Sequence, residues 1–436
     1  MRNALQRRSK EPMVALEYAL HRLLIHALII CDILYSSRLN RVIGGFAQPA
    51  LLGTAAAIVV FYMVYLLARG KVLPVALGAL YAALIFYQIG VFADRAAITF
   101  HANVFFQFLW LMAFIPFYAW VTVGLRRYML REVVFYSTAY CCAYVLMSLA
   151  QLTGILPYSI LSAIVSDQDA RGARVFLYAT VAAIAYFYWL YELRRRVTYS
   201  SLFFYAVAAL ASVLSLSRVY LLILLCLTIP FIFRCRAWVI SLCVRAAFVA
   251  VTAYIFYGFV DFTFNPFAAF ATDLSGAYRA YEFDVVRYVL RQEPLFGFGV
   301  PPDLIYVRQF LGQQDIFPSD LGALGTWFDL GLFGLFLLFY LLLVCSRPLQ
   351  FLEERYGWPL FLSGCLLTAY GAISPTAMYG GATLTALILG LALSSSKPRK
   401  YSVSRREAMR NRQLKRLNEL GATDIGILPV NKSNHF

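Results

Sequence analysis

The segment between residues 260 and 321 holds the side chains best suited to chemistry. It contains three closely spaced arginines, Arg279, Arg287 and Arg291, and a carboxylate near its end, Asp320. A guanidinium group is a planar, permanently charged fork that fits the oxygens of a phosphate. A carboxylate can accept a proton from a hydroxyl group, or position that hydroxyl by hydrogen bonding. This segment is therefore where function is sought first.

The spacing within this segment predicts a short amphipathic helix over residues 279–292. Arg287 and Arg291 fall on one face of it. Gly297 and Gly299 follow, and they permit a tight turn close to a ligand or to another part of the backbone. The helix prediction depends on apolar side chains that recur at helical spacing, namely Tyr281, Val285, Tyr288 and Val289.

Apolar runs dominate the rest of the chain. Of its 436 residues, 61% are hydrophobic and 14% are charged, whereas a soluble domain has about 25% charged residues. This composition excludes an ordinary soluble enzyme. A membrane-spanning helix needs about 20 apolar residues, and its backbone must form hydrogen bonds within the helix. We predict an all-α bundle of about twelve spans, at 18–36, 50–68, 72–93, 103–124, 133–153, 174–192, 200–216, 219–233, 238–259, 322–345, 357–373 and 379–394.

The formal net charge of +16 is distributed unevenly between the loops. One set of alternate loops carries 26 lysines and arginines, and the other carries ten, all of them arginine. Cationic loops stay in the cytoplasm, so both termini are predicted to be cytoplasmic. Charge spread over loops argues against nucleic-acid binding. The predicted organisation is a cytoplasmic N-terminus (1–17), nine spans (18–259), a long outer loop (260–321), three spans (322–394) and a basic cytoplasmic tail (395–436).

The sequence contains no metal-binding pattern. All eight cysteines lie in or beside apolar stretches without a CxxC pair, and we interpret them as packing residues. The four histidines form no HxxH or HExxH pattern. No metal site and no cofactor is therefore predicted.

Three ordered motifs, covering about 120 residues, resemble those of the O-antigen polymerase/ligase superfamily, the Wzy and WaaL type proteins. The matching residues are Leu214–Arg218 for the family's SR motif, Arg279 with Phe283 and Pro294–Gly299 (PLFGFG) for its R…W…PLLGxG pattern, and Gly331 with Gly334 for its glycine pair. The N-terminal half resembles the family only as a polytopic scaffold.

The resemblance implies a metal-independent glycosyltransferase with a GT-C-like fold in the bacterial inner membrane, active at the periplasmic face. Its donor would be a glycan on undecaprenyl pyrophosphate. In this view Arg279 and Arg218 hold the pyrophosphate and Arg287 or Arg291 assists, because preorganised cations stabilise a departing phosphate. The implied partners are the lipid-linked oligosaccharide, membrane lipids, a chain-length regulator and a flippase. The further substrate contacts in this view are Arg171, Arg174, Glu282, Gly297, Gly299 and Asp329.

The chain departs from the ligase branch at one position. Counted back from Gly331, the residue matching the histidine of the ligases is Asp320. This shifts the resemblance towards polysaccharide polymerases, in which Asp320 would handle the acceptor hydroxyl and Asp329 would be a second acidic contact. An O-antigen ligase acting on lipid A–core is the nearest alternative. A flippase-like transporter is the alternative of another class, although only Asp32 and Arg245 lie deep in predicted spans and no repeat is visible.

Each of these residues also has a purely structural interpretation. The structural alternatives are extension to the headgroups for Arg218, an ion pair with Glu282 or Asp284 for Arg279, solvation for Arg287 and Arg291, helix capping for Arg171 and Arg174, turn geometry for Gly297 and Gly299, and N-capping of the Leu321–Val344 helix for Asp320.

Overall fold

The apolar runs fold into helices joined mostly by short turns. The computed structural model describes residues 2–155, 164–166, 174–215, 217–261, 263–268, 274–302, 321–374, 377–379 and 381–395. Its helices are α1 (Arg2–Ser36), α2 (Asn40–Ile43), α3 (Ala47–Ala68), α4 (Val72–Ala96), a 3-10 helix (Ala102–Phe108), α5 (Leu109–Met112), α6 (Phe114–Thr122), α7 (Arg126–Leu152), α8 (Ala179–Arg195), α9 (Tyr199–Leu214), α10 (Arg218–Ile232), α11 (Ala237–Val260), α12 (Leu274–Gln292), α13 (Ala323–Cys345), α14 (Gly357–Tyr370) and α15 (Thr383–Ser395).

Seven helical stretches among the described residues are long and apolar enough to cross a membrane. They are Leu16–Ser36 of α1, then α3, α4, the stretch Ala102–Thr122, α7, α11 and α13. The predicted all-α, membrane-spanning character is confirmed by them.

The other five predicted spans coincide with shorter helices, α8, α9, α10, α14 and α15. These contain 17, 16, 15, 14 and 13 residues. At about 1.5 Å per residue, each is shorter than the ~30 Å bilayer core. The count of twelve spans therefore stays a prediction.

The segment predicted to span from residue 174 to 192 begins later than predicted. Two short strands, β1 (Val165–Ser166) and β2 (Arg174–Val175), pair antiparallel there, and α8 starts only at Ala179. A short apolar run has the same residue pattern in a strand as in a buried helix, so periodicity could not distinguish the strand from the helix.

The helices differ in how much apolar surface they expose. Residues 108–120, 180–188 of α8 and 359–368 of α14 are buried without interruption, so these stretches belong to the interior. In contrast, α3 and α11 expose large apolar side chains such as Val64 (61%) and Val249 (61%). Soluble proteins rarely expose extended apolar surface of this kind, and it fits contact with lipid tails.

The two charged residues predicted deep in spans are both engaged within the protein. Asp32 is buried and accepts hydrogen bonds from the hydroxyls of Tyr178 (2.9 Å) and Ser36 (3.1 Å). Arg245 donates to Ser346 Oγ at 3.0 Å and to the carbonyl oxygen of Leu343 at 2.9 Å. Both charges therefore join helices to one another.

Candidate functional site

The candidate site is built around α12, which the sequence predicted over residues 279–292. The helix is present but begins earlier, at Leu274. Its packed face agrees with the predicted one only in part, since Val289 is buried whereas Tyr281 and Tyr288 are 42% and 65% exposed. Both faces are apolar by residue type, so spacing alone could not identify the inner one, and tyrosines keep their hydroxyls where water is available. The wholly buried side chains are Phe283, Val286 and Leu290.

Arg287 is buried and donates hydrogen bonds to carbonyl oxygens at the C-terminal end of α11 and just beyond it. Its Nη1 donates to the carbonyl oxygens of Gly258 (2.9 Å), Asp261 (3.2 Å) and Phe264 (3.3 Å). Its Nη2 pairs with Asp284 Oδ1 at 2.6 Å. The last carbonyls of a helix have no partner within it, so Arg287 satisfies them and fixes the turn that follows. The structure gives this arginine a structural role, and its predicted contact with substrate stays a prediction.

Arg291 contacts the same end of α11 from one turn further along. It is exposed, and its Nη2 donates to the carbonyl oxygens of Phe259 (3.0 Å) and Val260 (3.1 Å). The two arginines predicted to share a face thus both attach α12 to α11.

Arg279 differs from both of these arginines. It is partly buried, and it makes no hydrogen bond or ion pair with any described residue; its Nε is buried without a partner. The ion pairs with Glu282 or Asp284 that offered a structural alternative are not formed among the described residues, because Asp284 is paired with Arg287. At 100° per residue, Arg279 lies on the face of α12 that buries Val286. An inward-facing arginine that has no partner in the described part of the chain is suited to an anion that comes from outside the chain.

Glu282, another predicted substrate contact, lies next to this inward face. Its side chain is only 2% exposed. The structure therefore places it within the packing of α12 and not on an open surface.

The turn after α12 inserts into a break in α13. Gly331 has φ +67° and ψ −171°, which interrupts the helix. In an unbroken helix the N–H of Leu332 would bond to the carbonyl of Phe328. Here the N–H of Phe298 donates to Phe328 O at 2.6 Å, and the N–H of Leu332 donates to Leu295 O at 3.0 Å. The turn thus satisfies the two backbone groups that the break releases.

Gly297 and Gly299 are required by this close approach. Their φ angles are +68° and +92°, a region that favours glycine. A Cβ on Gly297 would lie 2.5 Å from the carbonyl oxygen of Phe328, and one on Gly299 would lie 2.6 Å from the backbone N of Phe92. Their turn-geometry role is therefore visible, and both lie buried against α13 and α4.

Two residues that sequence reasoning did not select hold this turn. Arg95 Nη1 donates to the carbonyl oxygen of Gly297 at 2.5 Å, and Arg95 Nη2 lies 3.1 Å from Glu293 Oε2. Gln88 donates to Leu330 O at 3.0 Å. The available signal in the sequence was the amide side chain of Gln88 in the apolar run of α4, followed by Arg95 near the end of that helix. It did not indicate where the partners lie.

Asp329, predicted as an acidic contact, lies two residues before the break in α13. Its side chain is buried, and Tyr379 donates a hydrogen bond of 2.5 Å to its Oδ2. Asp329 therefore joins α13 to Tyr379 just before the break in that helix.

The other predicted site residues are placed only in part. Arg218 is exposed at the first position of α10, without a hydrogen bond or ion pair to the described residues. Arg174 lies in β2. Arg171 and Asp320 lie outside the described residues, so their roles stay predictions.

The loop that joins α11 to α12 has its own carboxylate. Thr263 donates to Asp261 Oδ1 from its hydroxyl at 2.7 Å and from its backbone N–H at 2.9 Å. These hydrogen bonds favour the ionised form and lower the pKa of Asp261 below its ordinary value.

No group of three or more His, Cys, Asp or Glu side chains able to hold a metal ion occurs in the part of the chain that the structure describes. No protein-family model matches the chain, and no curated protein or solved structure is detectably similar to it.

Proposed function

We propose that the protein is a polysaccharide polymerase of the bacterial inner membrane. It transfers a growing glycan from undecaprenyl pyrophosphate to a lipid-linked repeat unit at the periplasmic face, without a metal. The fold that we propose for this activity is a GT-C-like bundle of about twelve spans, with both termini in the cytoplasm.

The observation that carries the proposal is the state of Arg279. Of the three arginines of α12, Arg287 and Arg291 are bound to carbonyl oxygens of α11, whereas Arg279 has no partner among the described residues. Removing a cation from water without a counter-charge is costly. A pyrophosphate leaving group would supply that charge, and its negative charge grows as the glycosyl bond breaks.

The inserted turn supports the same proposal. Arg95, Gln88 and the broken α13 hold Gly297 and Gly299 by backbone contacts, so the turn directly after α12 has one defined position. Catalysis by preorganised charge requires this rigidity, because a mobile cation must be reoriented during the reaction.

The decisive experiment is complementation of a deletion strain with Arg279 variants, read out as glycan chain length. Arg279→Ala should leave single repeat units, and Arg279→Lys should restore only part of the chain length, because lysine lacks the planar fork. Arg127→Gln is the matched control, since this arginine is exposed and lies outside α12. Long chains made by Arg279→Ala, at wild-type protein levels in the membrane, would refute the assignment.

The same strain separates the alternatives. Loss of an O-antigen ligase would leave long polymer not joined to lipid A–core. Loss of a flippase would leave lipid-linked repeat units at the cytoplasmic face.

A further inference from the structure

Two loops that are far apart in sequence form one positively charged patch. The Nη1 of Arg194 donates to the carbonyl oxygen of Phe231 at 2.7 Å, and the same oxygen accepts the backbone N–H of Arg234 at 3.2 Å. The end of α8 therefore meets the residues that follow α10. The arginine patch consists of five exposed side chains, Arg194, Arg195, Arg196, Arg234 and Arg236.

The cations of Arg194 and Arg234 are close enough to repel each other. The guanidinium of Arg194 lies 4.7 Å from the ring centroid of Phe231, which fixes its position. Partial burial lowers the pKa of Arg194, and the neighbouring cation of Arg234 lowers it further.

The described residues supply little negative charge to offset this repulsion. None of the five arginines is in an ion pair with a described residue, and Glu192, in the last turn of α8, is paired with Arg355 at 2.7 Å. The C-terminal ends of α8 and α10 contribute about −0.5 charge each. Five positive charges therefore face roughly one negative charge.

The backbone at Arg234 is strained. Its φ is +59°, the left-handed conformation in which helix ends usually carry glycine. A side chain costs free energy there, so glycine would be less strained at this position.

Exposed aromatic residues next to the patch indicate its level in the membrane. Phe233 is 78%, Tyr199 96% and Trp238 57% exposed, and each lies within three residues of an arginine of the patch. Tyrosine and tryptophan concentrate at the headgroup level of a bilayer. Their exposure favours a position of the arginine patch at the level of the lipid phosphates.

We propose that the arginine patch binds the phosphate of an anionic phospholipid headgroup. Arginine forks bind phosphate oxygens in pairs, and basic pockets between helices at the cytoplasmic surface are suited to such headgroups. The chain's own tail is excluded by its charge, because residues 397–436 contain ten lysines and arginines against three acidic residues.

The test uses the purified full-length chain in detergent, titrated with cardiolipin or with phosphatidylcholine. Bound lipid is measured by native mass spectrometry and the melting temperature by thermal unfolding. The wild type should bind cardiolipin, and its Tm should rise. Phosphatidylcholine should neither bind to the protein nor raise its Tm. The triple variant Arg196→Gln, Arg234→Gly, Arg236→Gln should weaken cardiolipin binding about a hundredfold, at about fivefold per arginine.

Two variants keep the test independent of folding. Arg234→Gly alone should leave the lipid-free Tm unchanged or raised, because glycine relieves the strained φ, and should weaken cardiolipin binding about fivefold. Arg127→Gln removes an exposed arginine outside the patch and should leave binding unchanged. Cardiolipin binding that survives the patch variants would overturn the proposal. A Tm rise with phosphatidylcholine, inorganic phosphate or a polyglutamate peptide that equals the rise with cardiolipin would also overturn it. In the case of polyglutamate, the result would indicate that the patch binds an acidic protein.

Discussion

Arg95 donates a hydrogen bond of 2.5 Å to the carbonyl oxygen of Gly297, across 202 residues of sequence. This contact joins the end of α4 to the turn after α12, and the same arginine lies 3.1 Å from Glu293 at the start of that turn. The turn is therefore fixed from the α4 side by a cation and from the α13 side by backbone hydrogen bonds.

Replacing Arg95 should loosen this turn without unfolding the bundle. We expect Arg95→Gln to lower the free energy of unfolding by about 1–2 kcal/mol, because a hydrogen bond from a charged donor is lost. Hydrogen exchange at the amides of Phe298 and Val300 should become faster. Glu293→Gln is the control: it removes the half-exposed ion pair but leaves the bond to Gly297, and should cost at most about 1 kcal/mol. Equal exchange rates in both variants would contradict the positioning role.

A methyl group on Gly297 should be far more costly than one on a comparable glycine. Gly297 and Gly154 have the same φ of +68°, but a Cβ on Gly154 meets nothing within 4 Å. Both alanine variants carry the strain of the left-handed backbone, about 1 kcal/mol. Only Gly297→Ala adds the clash with α13, about 1–3 kcal/mol more. Thermal unfolding in detergent measures the difference, and similar values for the two variants would show that the turn can move away.

The two arginines that attach α12 to α11 should differ in their effect on stability. Arg287→Met removes a charged donor from the carbonyl oxygens of Gly258, Asp261 and Phe264 and the cation beside Asp284, and we expect a loss of about 3 kcal/mol. Arg291 is exposed, and Arg291→Met should cost about 0.5 kcal/mol. Denaturant unfolding of the two variants provides the comparison. If Arg287→Met is as stable as Arg291→Met, the hydrogen bonds of Arg287 to the end of α11 do not stabilise the fold.

The Asp261 loop should make a small contribution to stability that depends on pH. Its pKa is lowered in the folded state by hydrogen bonds from Thr263, so the ionised carboxylate stabilises the fold above the ordinary aspartate pKa of about 3.9. That contribution is lost as the pH falls through the lowered value. The Tm of the wild type should therefore exceed that of Asp261→Asn at pH 7, and the difference should shrink below about pH 4. A difference that is constant with pH would assign the effect to packing.

Apolar run length predicted where the helices lie, because backbone in a membrane has few alternatives to a helix. It could not predict that Gly331 would break α13, since the break depends on Phe298 and Leu295 arriving from elsewhere in the chain. The sequence also selected the arginines of α12 as one group. Only the contacts distinguish Arg287, which is bound to carbonyl oxygens, from Arg279, which has no partner among the described residues.

The shortness of α14 and α15 has a consequence for access to Asp329. With 14 and 13 residues, the two helices are about 20 Å long. Under the topology that we propose, both helices start at the cytoplasmic surface and stop ~10 Å short of the opposite surface of a 30 Å core. Tyr379, which lies between the two helices in sequence, would then lie below the level of the outer headgroups, where non-helical backbone is tolerated only beside protein or water. A sugar acceptor of the proposed reaction would have to leave the aqueous phase and descend into a recess within the bilayer to reach the Asp329–Tyr379 pair.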